Sequence, residues 1–145
     1  MENRKEFTFP SADGRTAIHA VEWHPAGEPA GILQIAHGVA EYALRYEPFA
    51  RFLNAHGFLV VANDHLGHGE SVAEGAPRLY FGEKGSWQHV VDDMYTLRCR
   101  IGEAYPELPY FPVKQFRVIT AKGVIIFPRQ KKILLIIPSV QKHCC

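Results

Sequence analysis

Two short apolar runs with an amphipathic stretch between them constrain this chain more than any other feature. Residues 31–36 read Gly-Ile-Leu-Gln-Ile-Ala and residues 58–62 read Phe-Leu-Val-Val-Ala. Each has the length and composition of a strand buried on both faces. Between them, residues 46–56 predict a helix. Pro48 suits a first turn, Phe49, Phe52 and Leu53 fall on one face, and Gly57 suits the C′ position that ends the helix. Strand, helix and strand with short connections form a βαβ unit. Its strands are expected to be parallel and its crossover right-handed.

The flanks extend this unit. Residues 7–10 and 18–23 read as extended, with Asp13-Gly14 between them as a turn signal, so an antiparallel hairpin is expected. Residues 86–105 predict a second helix capped by Ser86. Trp87, Val90, Val91, Met94 and Ile101 are expected on its buried face, with Asp92 and Asp93 near its positive end. Pro106 and Pro109 end it, and residues 108–111 would begin a third parallel strand. The expected fold is therefore α/β, with an N-terminal hairpin, a βαβ unit and helices on the faces of one sheet.

Beyond Phe111 the text changes. All 15 acidic residues lie in residues 1–111, which carry 9 basic ones, whereas residues 112–145 carry 7 basic residues and no acidic one. Residues 116–120 and 124–127 can pair around Ala-Lys-Gly, and residues 131–140 form a basic, β-branched run broken by Pro138. Residues 1–111 are read as the folded portion and 112–145 as a basic tail outside it. The tail's basic residues are scattered rather than gathered on one helical face, so no nucleic-acid partner is expected.

Length and composition set further bounds. A chain of 145 residues suits one domain, and 47% hydrophobic content with nine Phe, six Tyr and two Trp supplies a core. Apolar runs reach only five residues, too few for a spanning helix, and the N-terminus lacks the apolar segment of a signal peptide. Cys99, Cys144 and Cys145 show no CxxC spacing and no disulfide framework. A reducing, cytoplasmic setting is the expectation.

Two loops carry the chemistry. His37-Gly38-Val39-Ala40-Glu41 follows the first buried strand, at the strand end where ligands of α/β sheets bind. Its backbone N–H groups could face an oxyanion, or the dipeptide could be an ordinary turn between strand and helix. Asp64-His65-Leu66-Gly67-His68-Gly69-Glu70-Ser71 follows the second strand. Its glycines permit a tight loop. Asp64, His65 and His68 lack the further acidic or histidine ligands that a metal shell needs, so no metal and no cofactor is expected.

Taken together, the two loops, their spacing and the intervening Tyr-Glu-Pro-Phe-Ala-Arg-Phe-Leu-Asn-Ala-His-Gly-Phe at 46–58 resemble the front part of an α/β-hydrolase. The resemblance is to the monoacylglycerol lipase and lysophospholipase branch, also called serine aminopeptidase S33, and covers about residues 5–111. It implies a serine carboxylic-ester hydrolase acting on a small lipid ester through an acyl-enzyme. It also implies that the N–H of Val39 is one donor of the oxyanion hole, with His37, Gly38, Glu41 and Tyr46 shaping the loop. Asp64, Gly67, His68, Gly69 and Ser71 would form a structural loop, with no catalytic role on either histidine.

The resemblance stops short of the nucleophile. The family's serine sits in a Gly-x-Ser-x-Gly elbow just past the third parallel strand. Here Phe111 is followed by Pro-Val-Lys-Gln-Phe-Arg, and no Gly-x-Ser-x-Gly occurs in the chain. The catalytic acid and histidine have no counterpart either. The chain is expected to be catalytically incomplete, with a frameshift or truncation near codon 111, or a divergent tail, as the origin. A non-catalytic interaction or complementing fragment is the other reading. Loss of the third strand would expose the edge of residues 31–36, inviting self-association and marginal stability.

Overall fold

In the computed structural model, which describes residues 3–83, 85–114, 118–120 and 123–125, the chain divides into two units, Met1–Gln115 and Phe116–Cys145. The first unit is a five-stranded sheet in the order β1-β2-β4-β3-β5. β1 (Arg4–Pro10) and β2 (Ala17–Trp23) form the antiparallel hairpin, and β2 runs antiparallel to β4 (Phe58–Asn63). β3 (Gly31–Ala36) lies parallel to both β4 and β5 (Tyr110–Lys114). The expected hairpin and βαβ unit are both present. Gly57 closes the intervening helix with a φ of 82°, a conformation that favours glycine.

Side-chain alternation along the strands builds a core on each face. Ile18, Ala20, Ile32, Leu59 and Val61 pack on the face covered by Leu97 and Ile101 of α2 (Trp87–Ala104). Val21, Trp23, Leu33, Ile35, Val60 and Ala62 pack on the other, against Ala43, Tyr46 and Ala50. These last three belong to a 3₁₀ turn (Ala43–Tyr46) and to α1 (Glu47–Ala55).

Both helices are rotated from the faces expected of them. Phe49 and Phe52 are exposed, and α1 instead turns Ala50 inward, with Leu53 packed beside it. Asn54 sets this rotation: its Nδ2 donates to the carbonyls of Trp23 at 2.8 Å and Phe58 at 2.9 Å. In α2, Val90 and Ile101 face the sheet as expected, but Asp93 and Leu97 join them there while Trp87 and Val91 are exposed and Met94 is half-buried. Asp93 fixes that rotation rather than complementing the helix dipole. It accepts from Ser11 Oγ at 2.8 Å and from the Ala12 N–H at 2.7 Å, both in the β1–β2 turn. Ser86 makes no side-chain cap, because it already has helical angles and its hydroxyl does not reach the first-turn N–H groups.

The expected open edge on residues 31–36 is not there. β5 pairs along β3 from Ile32↔Tyr110 to Ala36↔Lys114, running three residues past Phe111. β5 and β1 are the terminal strands of the sheet, and among the described residues no strand pairs with the outer side of β5. Tyr110 helps to hold this strand. Its hydroxyl donates to Gln34 Oε1 at 3.0 Å, and Gln34 Nε2 donates to the Met94 carbonyl of α2 at 3.0 Å.

In the second unit, β6 (Val118–Thr120) and β7 (Gly123–Ile125) pair antiparallel, as residues 116–127 led us to expect. The basic run at 131–140, the apolar run at 133–137 and the C-terminal cysteines lie outside the described residues.

Candidate active-site loop

The loop after β3 and the loop after β4 lie side by side at the same end of the sheet. His37 follows β3 directly and is buried. Its Nδ1–H donates to the Gly38 carbonyl at 2.8 Å, and its Nε2 accepts from the His65 N–H at 2.9 Å. With one nitrogen donating and the other accepting, the ring is neutral. Burial pushes it below the ordinary histidine value. His65 Nε2–H returns a bond to the His37 carbonyl at 3.1 Å, and the two ring centroids lie 3.9 Å apart. Burial and the neighbouring His37 push His65 down to about 3.

Glu41 closes the first loop on itself. Its carboxylate accepts from the Gly38 N–H at 3.0 Å and from the Tyr46 hydroxyl. Its own N–H donates to the Gly38 carbonyl at 3.2 Å. Between them the chain rises outward: Val39 is 77% exposed, and Ala40 has a φ of 62°. Among the described residues, neither the Val39 nor the Ala40 N–H finds an acceptor within the protein.

Asp64 anchors the second loop and grips the first. It accepts from the Ala43 N–H at 2.6 Å, the Glu70 N–H at 2.9 Å and His19 Nδ1 at 2.9 Å. Burial opposes its charge, but these donors outweigh that and hold the carboxyl below its usual range. Ser71 fastens the loop to β2, accepting from the His19 N–H at 2.9 Å. His68 is fully buried, stacked on Phe81 with centroids 5.0 Å apart, and its Nδ1–H donates to the Leu66 carbonyl at 3.1 Å.

The two loop glycines are demanded by space as well as by angle. A Cβ on Gly67, at φ 77°, would lie 2.1 Å from the Tyr80 carbonyl oxygen. One on Gly69, at φ 50°, would lie 2.2 Å from the Asp64 carboxylate.

The structure thus brings His37, Gly38 and Glu41 together with Asp64, Gly67, His68, Gly69 and Ser71, and leaves Val39 at the loop's outer tip. Among the described residues no group of three or more His, Cys, Asp and Glu side chains is placed to hold a metal ion. No helix among them is long and apolar enough to cross a membrane. The residue not foreseen is His19. The signal for it was a histidine within a strand whose neighbours Ile18 and Ala20 are core residues.

Comparison with known proteins agrees with this geometry. Residues 27–113 match the family described as "Serine aminopeptidase, S33". A monoacylglycerol lipase of Mycolicibacterium smegmatis is 36% identical over 106 residues, which is 73% of this chain and 35% of that protein. A monoglyceride lipase of Rattus norvegicus is 34% identical over 101 residues, 70% of this chain and 31% of that protein. The chain therefore spans about a third of the length of these relatives. Among solved structures, a thermostable carboxyl esterase of Bacillus coagulans superposes with a TM-score of 0.69 at 35% identity, covering 77% of this chain and 36% of the esterase.

Proposed function

The chain belongs to the serine aminopeptidase S33 family of α/β-hydrolases, and from that membership we propose that it supplies the oxyanion loop of a carboxylic-ester hydrolase acting on monoacylglycerol-type lipids. The observation that carries this reading is the Val39 N–H, which finds no acceptor among the described residues and sits at an exposed tip while both flanks of its loop are tied down. A donor held this way is ready to bind charge that develops during reaction.

In the proposed reaction a serine oxygen attacks the ester carbonyl carbon. The carbonyl electron pair moves onto its oxygen, which accepts from the Val39 N–H. Collapse breaks the ester bond, the glycerol oxygen takes a proton, and the acyl group stays on the serine. Water then attacks the acyl-enzyme, releasing fatty acid and restoring the hydroxyl. The 145 residues contain no Gly-x-Ser-x-Gly. We therefore assign the nucleophile, acid and base to sequence outside them, and assign no acyl transfer to this chain alone.

The test joins residues 1–114, which complete β5, to the part of the Mycolicibacterium smegmatis lipase that follows its matching strand. The fusion is expected to hydrolyse monoacylglycerol. Val39→Pro, which removes the N–H, should lower kcat about 100-fold, while Val39→Ala should leave it near that of the parent. Equal rates for the two variants overturn the assignment, and so does a serine of the unfused chain labelled by a fluorophosphonate. Reading the gene onward from codon 105 in all three frames decides between a frameshifted hydrolase and a remnant. The outer side of β5, unpaired among the described residues, supports the second reading, a non-catalytic fragment completed by a strand of another polypeptide.

A further inference from the structure

We infer that His19 is a positioning residue, a charged strut that holds the Asp64 carboxylate and, through it, the Ala43 amide at the far end of the loop carrying Val39. The geometry is a bridge between two acids. His19 Nδ1–H donates to Asp64 Oδ2 at 2.9 Å and Nε2–H to Glu6 Oε2 at 2.9 Å. A neutral imidazole has only one N–H, so it cannot make both bonds. The bridge therefore requires the imidazolium. It sits on a buried side chain against an Asp64 carboxyl that is itself almost wholly enclosed.

The strut is one span of a longer chain of charges. Arg4 bonds Glu6 at 3.0 Å and Glu47 at 2.7 Å, and Glu47 opens α1. The line Glu47–Arg4–Glu6–His19–Asp64–Ala43 thus leaves α1 and returns one helical turn away. It encloses the join between the oxyanion loop and the helix that follows. The charged groups facing the ring are Asp64 from the loop after β4 and Glu6 from β1. Ser71 meets its backbone rather than its ring, and Glu22 of the same strand pairs with His24 and Lys5.

When His19 loses its proton, one carboxylate faces a nitrogen lone pair. Asp64 then keeps a buried charge without a cation beside it, and its hold on the Ala43 and Glu70 amides weakens. The loop that carries Val39 is accordingly tight at neutral pH and loosens in alkali.

Two measurements on the full chain test this without any assay of activity, so their failure leaves the hydrolase reading standing. Long-range nitrogen–proton correlation of the labelled protein reads the ring. At about pH 7, above the ordinary imidazole midpoint, both His19 nitrogens should carry protons. Amide hydrogen exchange reads the loop. As pH rises through the His19 titration, Ala43 and Glu70 should exchange about tenfold faster than base catalysis explains, the loss of one charge-assisted bond. An interior amide of β4 such as Val61 should show no such step. His19→Gln should abolish the step and leave Ala43 fast throughout. Should that variant not fold, Glu6→Gln, at a partly exposed position, should move the step to lower pH. A His19 that is neutral at pH 7, or Ala43 and Glu70 amides that ignore its titration, overturns the inference.

Discussion

The backbone N–H of His65 donates to Nε2 of His37 at 2.9 Å, so a ring from one loop receives the main chain of the other. The bond works only while His37 Nε2 is unprotonated, and the reciprocal bond from His65 to the His37 carbonyl sits in the same enclosed space. The two loops are joined as a neutral pair.

That neutrality gives the first prediction. Below about pH 6.5 the unfolded chain protonates a histidine that the native state, with His65 near 3, refuses. Stability therefore falls as pH drops from about 6.5 toward 3. His19 has the opposite sign: the Asp64 hydrogen bond raises its folded value. Its contribution is complete below about 6.5 and is lost as pH rises through that raised value. Thermal unfolding against pH should give a maximum near neutrality, and His65→Gln should flatten the acid limb. An unchanged acid limb in that variant contradicts the assignment to His65.

Glycine substitutions should split by sign. Gly69→Ala drives a methyl into the Asp64 carboxylate and Gly67→Ala drives one into the Tyr80 backbone. Each should lower stability by more than about 2 kcal/mol in urea unfolding. Gly102→Ala, in α2 with nothing within 4 Å of the new methyl, should raise it by about 0.5–1 kcal/mol.

The polar link under β5 is open to a single-atom test. Tyr110→Phe leaves Gln34 Oε1, buried in the interior strand β3, without its donor. The loss should be about 1–3 kcal/mol. The double variant Gln34→Leu/Tyr110→Phe should cost no more than Tyr110→Phe alone, because it removes the orphaned oxygen together with its hydroxyl donor.

The outer edge of β5 yields a prediction about association. Ile32 N–H bonds the Pro109 carbonyl at 2.9 Å, and this sets the phase of the parallel ladder. By that phase Phe111 and Val113 turn their backbone groups to β3, while Tyr110, Pro112 and Lys114 turn theirs to the open edge. Pro112 thus withholds a donor at the middle of the edge. Pro112→Val should restore it and shift sedimentation toward dimers or larger species relative to the parent chain. An unaltered sedimentation profile would show that the missing donor is not what limits pairing there.

Much of this molecule was readable as text. β3 ran as expected, β4 came within one residue, and the Gly57 stop was visible because each rests on a local pattern: an apolar run or a glycine where a helix must turn back. The two loops were legible as a pair for the same reason, since their glycines and polar residues are contiguous. The helix faces were not. α1 offers two overlapping apolar stripes, and α2 places Asp93 among its inward positions. Periodicity counts apolar residues and passes over a buried acid.

What the sequence by itself determined was the order and kind of the elements, because those follow from spacing within a few residues. What only the tertiary structure decided was how each helix is turned and how the histidines are protonated. Asp93 is fixed by Ser11, 82 residues away, and His19 by Asp64, 45 residues away. Rotation and charge state are properties of the partner a side chain meets, and no local pattern names a partner so distant.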